Sequence, residues 1–311
     1  MTPVLFDHDG GVDDLISLLL IGLSPDIELK AVTVTPADCL LSDAVESTLK
    51  LLTLTGRSVP VAAGRYYGVN PFPHEWRVQP KIINALPDML RIKEDRRTLS
   101  SLPADELMVQ ALDAAEEPLT VLMTGPCTNL VKALSHREDL KTKIARVVWM
   151  GGAVDVAGNV VIHNHDGTAE WNAYWDPPAT QALIEMQLPL TLVALDACNS
   201  VPVDIAFLRR LAEVGRDSSS KADLAGQFWA TTINSLPSYE YVYHLWDVLA
   251  TSYVVLGERA IECDRMPLSV SAAEPNAGQT FRDEAKGVPV NVAKRVDREK
   301  VFSWIFECLG G

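Results

Sequence analysis

Short apolar runs alternate with amphipathic stretches over the first 195 residues of the chain. The runs have the length and β-branched content of buried strands, at 4–6, 29–35, 59–63, 118–123, 145–150 and 189–195. The stretches between them show helical spacing of apolar residues, at 12–23, 41–55, 104–115, 127–136 and 177–187. Strands that alternate with helices predict an α/β fold. We expect a mainly parallel, mixed central sheet flanked by helices, open and Rossmann-like.

Two segments interrupt this alternation. Residues 64–80 are rich in Gly, Pro and aromatic residues, and residues 233–243 contain several tyrosines. Long irregular segments in a compact α/β protein are usually functional loops. No repeat, low-complexity tract or linker divides the chain. We therefore expect residues 1–311 to form a single domain with active-site loops inserted near 64–80 and 233–243.

Composition narrows the class of protein. The 311 residues are 48% hydrophobic and 22% charged, a globular balance. The 27 Lys and Arg against 41 Asp and Glu give a net charge of −14, which makes nucleic acid and anionic membranes poor partners. The five cysteines are odd in number and lack C-x-x-C spacing, as in reduced thiols. No secretory signal or membrane span is evident, so we expect a cytoplasmic protein.

Four carboxylates lie within eight residues, at Asp7, Asp9, Asp13 and Asp14. They follow the first predicted strand, at the edge where open α/β sheets bind ligands. Preference of acids for a helix N-terminus accounts for Asp13 and Asp14 but not for the pair at the strand end. Clustered carboxylates repel unless a cation or donors compensate, and oxygen ligands favour Ca²⁺ or Mg²⁺ over zinc.

Two families begin with similar motifs. Residues 7–12 resemble the D-x-D-G-T-[LV] motif of haloacid-dehalogenase-like phosphatases, which would make Asp7 a nucleophile. However, Gly11 replaces the Thr, and the later lysine and acidic-pair motifs are not found. All four carboxylates match D-x-D-x-x-x-D-D, the N-terminal fingerprint of the nucleoside hydrolases. Further segments resemble this second family in order, at 70–77, 124–130, 150–153, 158–160, 166–177 and 246–247.

The nucleoside hydrolase resemblance extends over residues 4–255 and points to a subgroup. The segments 70–76 (NPFPHEW) and 170–172 (EWN) are similar to the purine-specific inosine-adenosine-guanosine branch. The inosine-uridine branch generally has His at the position of Trp246. Gly11 and Pro36 depart from the purine-specific pattern. The resemblance implies Ca²⁺-dependent hydrolysis of inosine, adenosine and guanosine to free base and ribose.

The resemblance also implies metal-site roles. Ca²⁺ would lie between Asp9, Asp14, Asp247 and the main-chain carbonyl of Thr124, all hard oxygen donors. Asp9 would be the general base that activates a metal-bound water. Asp7 would orient the loop from behind.

Substrate-binding roles follow in the same way. Asp14 and Asp38 would hold ribose hydroxyls, and a second set would grip the 5′ and 3′ side of the sugar, namely Asn159, Glu170 and Asn172. The purine would stack between Trp76 and Trp246, with Trp171 lining the pocket. The base would take its proton from solvent, with His244 as an alternative donor. The remaining tryptophans are assigned to packing, at Trp149, Trp175, Trp229 and Trp304.

Relatives in this family form dimers or tetramers, so a homodimer or homotetramer is expected, with a purine nucleoside as the substrate. Three alternatives remain open. They are a broader inosine/uridine nucleoside hydrolase, a non-catalytic nucleoside-binding protein, and a phosphatase that uses Asp7.

Overall fold

The computed structural model describes residues 1–217, 220–235 and 242–310. Within these ranges, nine strands form one sheet. The strands are β1 (Thr2–His8), β2 (Ile27–Val34), β3 (Val61–Ala63), β4 (Leu119–Met123), β5 (Ile144–Met150), β6 (Leu190–Val193), β7 (Ile261–Val270), β8 (Thr280–Arg282) and β9 (Val288–Val296). Their order across the sheet is β3-β2-β1-β4-β5-β6-β9-β7-β8.

Helices pack on both faces of this sheet. They are α1 (Val12–Leu23), α2 (Leu41–Leu54), α3 (Gln79–Asn84), α4 (Pro87–Arg91), α5 (Ala104–Asp113), α6 (Thr128–His136), α7 (Trp171–Trp175), α8 (Pro177–Glu185), α9 (Leu195–Cys198), α10 (Ile205–Asp217), α11 (Ser220–Ser235), α12 (Trp246–Leu256) and α13 (Arg298–Gly310). In the described ranges, none is long and apolar enough to cross a bilayer.

The sheet is parallel from β3 across to β9, while β7 and β8 pair antiparallel at one edge. This confirms the predicted α/β fold with a mainly parallel, mixed sheet. The strands and helices predicted over the first 195 residues are present, with ends that shift by a few residues. The antiparallel edge formed by β7, β8 and β9 was not predicted.

Successive side chains of β1 enter two different cores. Val4 and Phe6 join the cluster beneath α1, α2, α11, α12 and α13, whereas Leu5 joins the cluster beneath α5, α6 and α8. Because both faces are covered, β1 is apolar throughout rather than alternating. Its carboxyl end lies between β2 and β4, where the chain order reverses. This is the switch point at which open α/β sheets form their ligand crevice.

A glycine turn joins β1 to α1 at that point. Gly10 has φ +83°, and a Cβ there would lie 2.6 Å from the Cβ of Ala44. Both the left-handed backbone and the close approach of α2 therefore favour glycine.

Substitution of Gly10 tests this packing against a matched control. We expect Gly10→Ala to lower the free energy of unfolding by about 3 kcal/mol, because it adds a steric clash to backbone strain. Gly56 also has a positive φ (+68°) but has no atom within 4 Å of an added Cβ. Gly56→Ala should lower the free energy by only about 1 kcal/mol. Equal losses in urea denaturation would show that packing against Ala44 does not matter.

Candidate active site

A cavity of about 630 Å³, its open mouth included, lies at the carboxyl edge of the sheet. The segments that follow β1, β2, β3, β4 and β5 and the start of α12 form its walls. Every residue predicted for the site lines it: Asp9, Asp14, Asp38, Trp76, Thr124, Asn159, Glu170, Trp171, Asn172, Trp246 and Asp247. The structure thus brings together residues that are distant in the sequence.

Sequence reasoning missed several lining residues, namely Phe72, Gln79, Met150 and Tyr243, and treated Gly11 only as a departure from a motif. Phe72 and Gln79 flank Trp76 in the segment already predicted as a loop, and Met150 directly precedes the Gly-Gly turn. Proximity to predicted residues was the available signal. Of the other predicted loop, Tyr243 lines the cavity, whereas residues 236–241 lie outside the described residues.

Acidic side chains dominate the wall beside β1. Burial raises the pKa of Asp9, Asp38 and Asp247 well above the usual range, and the charge of Asp14 raises each further. The carboxylates are tied to one another through protein donors. The backbone N–H of Asp38 donates to Asp9 Oδ2 at 3.2 Å, and the Thr124 hydroxyl donates to Asp14 Oδ1. A cation at this wall would stabilise the ionised forms.

The donor set fits a hard divalent cation. Asp9, Asp14 and Asp247 supply carboxylate oxygens to a cavity that Thr124 also lines, and the main-chain carbonyl of Thr124 accepts from Asn172 Nδ2 at 2.8 Å. Among the described residues, Asp38 Oδ1 is buried and has no hydrogen-bond partner. Across residues 1–217, 220–235 and 242–310, no group of three or more His, Cys, Asp or Glu side chains is arranged to coordinate a metal ion. The structure therefore shows suitable ligand types near one another but not a coordination geometry.

Asp7 does not reach the cavity. Its side chain is fully buried and accepts hydrogen bonds from the Thr33 hydroxyl at 2.7 Å and from Asn129 Nδ2 at 3.0 Å. Burial raises its pKa to about 7. Asp7 thus joins β1 to β2 and α6. Since no ligand can approach it from the cavity, the phosphatase alternative loses its nucleophile.

Asp13 stabilises a different helix from the one that the sequence suggested. Its Oδ2 accepts from the backbone N–H groups of Asp247 at 2.7 Å and Val248 at 3.0 Å, at the start of α12. Its Oδ1 accepts from Trp229 Nε1 at 3.1 Å. Burial raises the pKa of Asp13 to about 7. Asp13 therefore caps α12 and holds Asp247 at the cavity. Trp229, which was assigned to packing alone, also donates a hydrogen bond that positions Asp13.

Glu170 has a similar double position. It lines the cavity, yet it caps α7 by accepting from the backbone N–H of Asn172 at 2.8 Å and of Ala173 at 3.2 Å, and also from Gly152 at 2.9 Å. Burial raises its pKa to about 7, against the effect of these hydrogen bonds. Much of its acceptor capacity is thus used by the backbone.

The two asparagines connect the cavity walls. Asn172 Nδ2 donates to the carbonyl oxygens of Thr124 at 2.8 Å and Met150 at 3.1 Å, so it bridges the ends of β4 and β5. Asn159 Oδ1 accepts from the backbone N–H of Trp171 at 3.1 Å. These bonds leave Oδ1 of Asn172 and Nδ2 of Asn159 as the groups that can serve a ligand.

Aromatic rings form the rest of the cavity. Trp171 packs against Phe72 at 5.4 Å and against Trp76 at 5.3 Å between ring centroids. Trp246 packs edge-on to Tyr243 at 4.6 Å. His244, the alternative proton donor, does not line the cavity, and burial lowers its pKa. The tryptophans assigned to packing are buried, at Trp149, Trp175, Trp229 and Trp304.

Comparison with known proteins identifies the family of the chain. The family model for inosine-uridine preferring nucleoside hydrolases matches residues 4–303. The pyrimidine-specific ribonucleoside hydrolase RihA of Salmonella paratyphi B is 31% identical over 220 residues, which cover 70% of this chain and 68% of the relative. The inosine-uridine preferring nucleoside hydrolase from Bacillus anthracis is 34% identical, with a TM-score of 0.91 over 100% of this chain and 99% of that one.

A purine-preferring ribonucleoside hydrolase from Gardnerella vaginalis shares the fold, with a TM-score of 0.83 at 22% identity, over 100% of this chain and 98% of that one. The chain belongs to the nucleoside hydrolase family, as its motifs indicated. It is a hydrolase that acts on N-glycosyl bonds, in a family whose members depend on a metal ion. A nucleoside is the substrate expected for this family.

The contacts of Asp13 predict a stability effect. We expect Asp13→Ala to lower the free energy of unfolding by about 3 kcal/mol, because three buried donors lose their acceptor. Trp229→Phe, which removes one donor, should lower it by about 1 kcal/mol. Urea denaturation of both variants measures this order. An Asp13→Ala variant as stable as the wild type would mean that relief of charge repulsion outweighs the lost cap.

Proposed function

We propose that the protein is a Ca²⁺-dependent hydrolase of purine ribonucleosides that releases free base and ribose. The observation that carries the proposal is one cavity lined both by carboxylates and by tryptophans. The carboxylates suit a metal and a sugar, and the tryptophans suit a flat base.

Asp9, Asp14, Asp247 and the Thr124 carbonyl would hold the ion. Bound Ca²⁺ would attract sugar hydroxyls and lower the pKa of a neighbouring water. The raised pKa values of Asp9 and Asp247 support this assignment, since a group of buried carboxylates needs a counter-charge to remain ionised. Asp13 would act from behind by fixing the start of α12 and with it Asp247.

Asp9 would be the general base. It lines the cavity at the end of β1, and the N–H of Asp38 holds one of its oxygens at 3.2 Å. Burial raises the pKa of Asp9, and a carboxylate with a higher pKa is a stronger base toward water than an ordinary one. The oxygen of the attacking water would bond to the anomeric carbon while the bond from that carbon to the base breaks. The proton of the water would pass to Asp9.

The sugar develops oxocarbenium character in such a reaction, as in other glycoside hydrolyses. Asp14 and Asp38 would accept hydrogen bonds from ribose hydroxyls on one side. On the other side, the free groups of Asn159 and Asn172 would hold the sugar, with Glu170 keeping α7 in place. Contacts to hydroxyls that do not react position the anomeric carbon for attack.

The base would lie between Trp76 and Trp246, which both line the cavity, with Trp171 beside Trp76. Indole faces favour a purine that has accepted a proton at N7, through a cation–π interaction. Solvent would deliver that proton, because no imidazole is found among the described residues that line the cavity.

A broader or pyrimidine-directed specificity is the second candidate, favoured by the names of the relatives. The family model and the Bacillus anthracis structure are described as inosine-uridine preferring, and the Salmonella relative as pyrimidine-specific. Both candidates share the same hydrolysis and differ only in how the base is bound.

A substrate panel separates these candidates. We expect ribose release from inosine, adenosine and guanosine, little from uridine and cytidine, and loss of all release in a chelator that Ca²⁺ then restores. Ultraviolet and reducing-sugar assays on the purified protein measure both products. Uridine hydrolysis at a comparable rate would contradict purine preference and leave the hydrolase. Tight binding of nucleosides with no product would instead support a non-catalytic binding protein.

Replacement of Asp9 tests the general base. We expect Asp9→Asn to reduce kcat by about 10²- to 10⁴-fold, because the amide cannot take a proton. Circular dichroism should show an unchanged fold, since Asn keeps an oxygen for the N–H of Asp38. A kcat within a few-fold of the wild type would exclude Asp9 as the base. Thr33→Val is the control, because it removes a hydrogen bond to Asp7 outside the cavity and should leave kcat close to that of the wild type.

A further inference from the structure

Three carboxylates line the cavity beside the turn from β1 to α1, namely Asp9, Asp14 and Asp38. When ionised, a carboxylate accepts hydrogen bonds and donates none. A sugar hydroxyl donates one bond but also accepts up to two. A hydroxyl that points its hydrogen at this wall therefore keeps two lone pairs on its own oxygen, of which a bound cation can take one and a nearby neutral donor the other.

Gln79 is such a residue, and sequence reasoning did not assign it a role. It begins α3, is half-buried, and lines the cavity. Its Oε1 accepts from the backbone N–H of Val12 at 3.2 Å. That bond fixes the amide so that Nε2 is the free end, and Nε2 donates to no protein atom within the described ranges. A fixed amide with a free donor at a cavity wall is suited to binding a ligand.

The neighbouring Gly11 keeps this corner of the cavity open. A Cβ on Gly11 would lie 3.0 Å from Asp14 Oδ2 and 3.5 Å from Asp38 Oδ2. A larger side chain there would extend into the space in front of these two carboxylates. Because Gln79 is bonded to Val12, the next residue, its amide adjoins the opening that Gly11 leaves.

Another amide at the cavity is already engaged. Asn172 donates through Nδ2 to two main-chain carbonyls, of Thr124 and Met150. Asn159 keeps its Nδ2 available, but it lies beyond the end of β5, next to Trp171. Gln79 is thus the amide donor tied to the turn between β1 and α1.

We propose that Gln79 is a substrate-binding residue whose Nε2 donates a hydrogen bond to the sugar hydroxyl held by Asp14 and Asp38. This rests on the proposed nucleoside hydrolysis and adds a residue to it. Gln79 then pairs a donor with carboxylate acceptors, so a hydroxyl is satisfied in both directions. The loop 64–80 contributes to sugar recognition through Gln79 as well as to base binding through Trp76.

The test combines Gln79→Met with nucleosides that lack one hydroxyl. The best ribonucleoside is compared with its 2′-, 3′- and 5′-deoxy analogues, by kcat/KM or, where there is no turnover, by Ki as competitive inhibitors. We expect Gln79→Met to lower kcat/KM for the parent nucleoside by about 5- to 20-fold. It should leave the affinity of one deoxy analogue unchanged, because that analogue lacks the partner hydroxyl.

Two further variants separate binding from a structural role. Gln79→Glu keeps an oxygen for the N–H of Val12 but has no donor when ionised, so it should also lose affinity for the parent. Gln181→Met is the control, because Gln181 bonds Glu185 on α8, away from the cavity, and should change nothing.

The proposal is overturned if Gln79→Met lowers the affinity for the parent nucleoside and for every analogue by the same factor. It is also overturned if Gln79→Glu binds the parent as tightly as the wild type does. Either result would make Gln79 a support for Val12 only. A wild-type protein that hydrolyses no nucleoside would overturn the proposed function and this inference together. Hydrolysis by the wild type that Gln79→Met leaves unaltered would overturn this inference alone.

Discussion

The carboxylates buried beside the cavity must be stabilised, and hydrogen bonds from several surrounding segments serve this need. Asp9, Asp14 and Asp247 are all nearly inaccessible to solvent, and isolated charges in such a place are strongly unfavourable. Hydrogen-bond donors of the protein offset part of this cost. Backbone N–H groups and the Thr124 hydroxyl bond these oxygens. No Lys or Arg is among the described residues that line the cavity, although the charge of Arg77 lowers the pKa of Asp38. A divalent cation would supply positive charge at the cavity itself.

The acids near the cavity fall into two groups with different tasks. Asp7 and Asp13 turn away from it and hold the scaffold, the first across β1, β2 and α6 and the second at the start of α12. Asp9 and Asp14 turn toward it. A motif of four carboxylates therefore encodes both the reactive wall and the supports that keep it in place. Replacement of Asp7 or Asp13 should therefore lower the stability of the protein, whereas replacement of Asp9 or Asp14 should lower its catalytic activity.

Much of the fold and the site could be predicted because the signals are local. The period of apolar residues predicted β1 through β6, and motifs next to strand ends predicted residues that do line one cavity. The antiparallel edge was missed because its strands are partly exposed and lack long apolar runs. Asp13 lies in the first turn of α1 as expected, but its contact with α12 was not predicted because that partner lies 234 residues away. Gln79 was missed because its role depends on how its loop docks onto Val12.

We expect this cavity to hydrolyse nucleosides by using a cation held among its carboxylates. Ca²⁺ can be titrated into chelator-treated protein while bound calcium and ribose release from inosine are followed in the same sample. Activity should be absent at the start, rise in proportion to bound calcium and level off at one ion per chain. Full turnover before any calcium is added would show that hydrolysis needs no such cation.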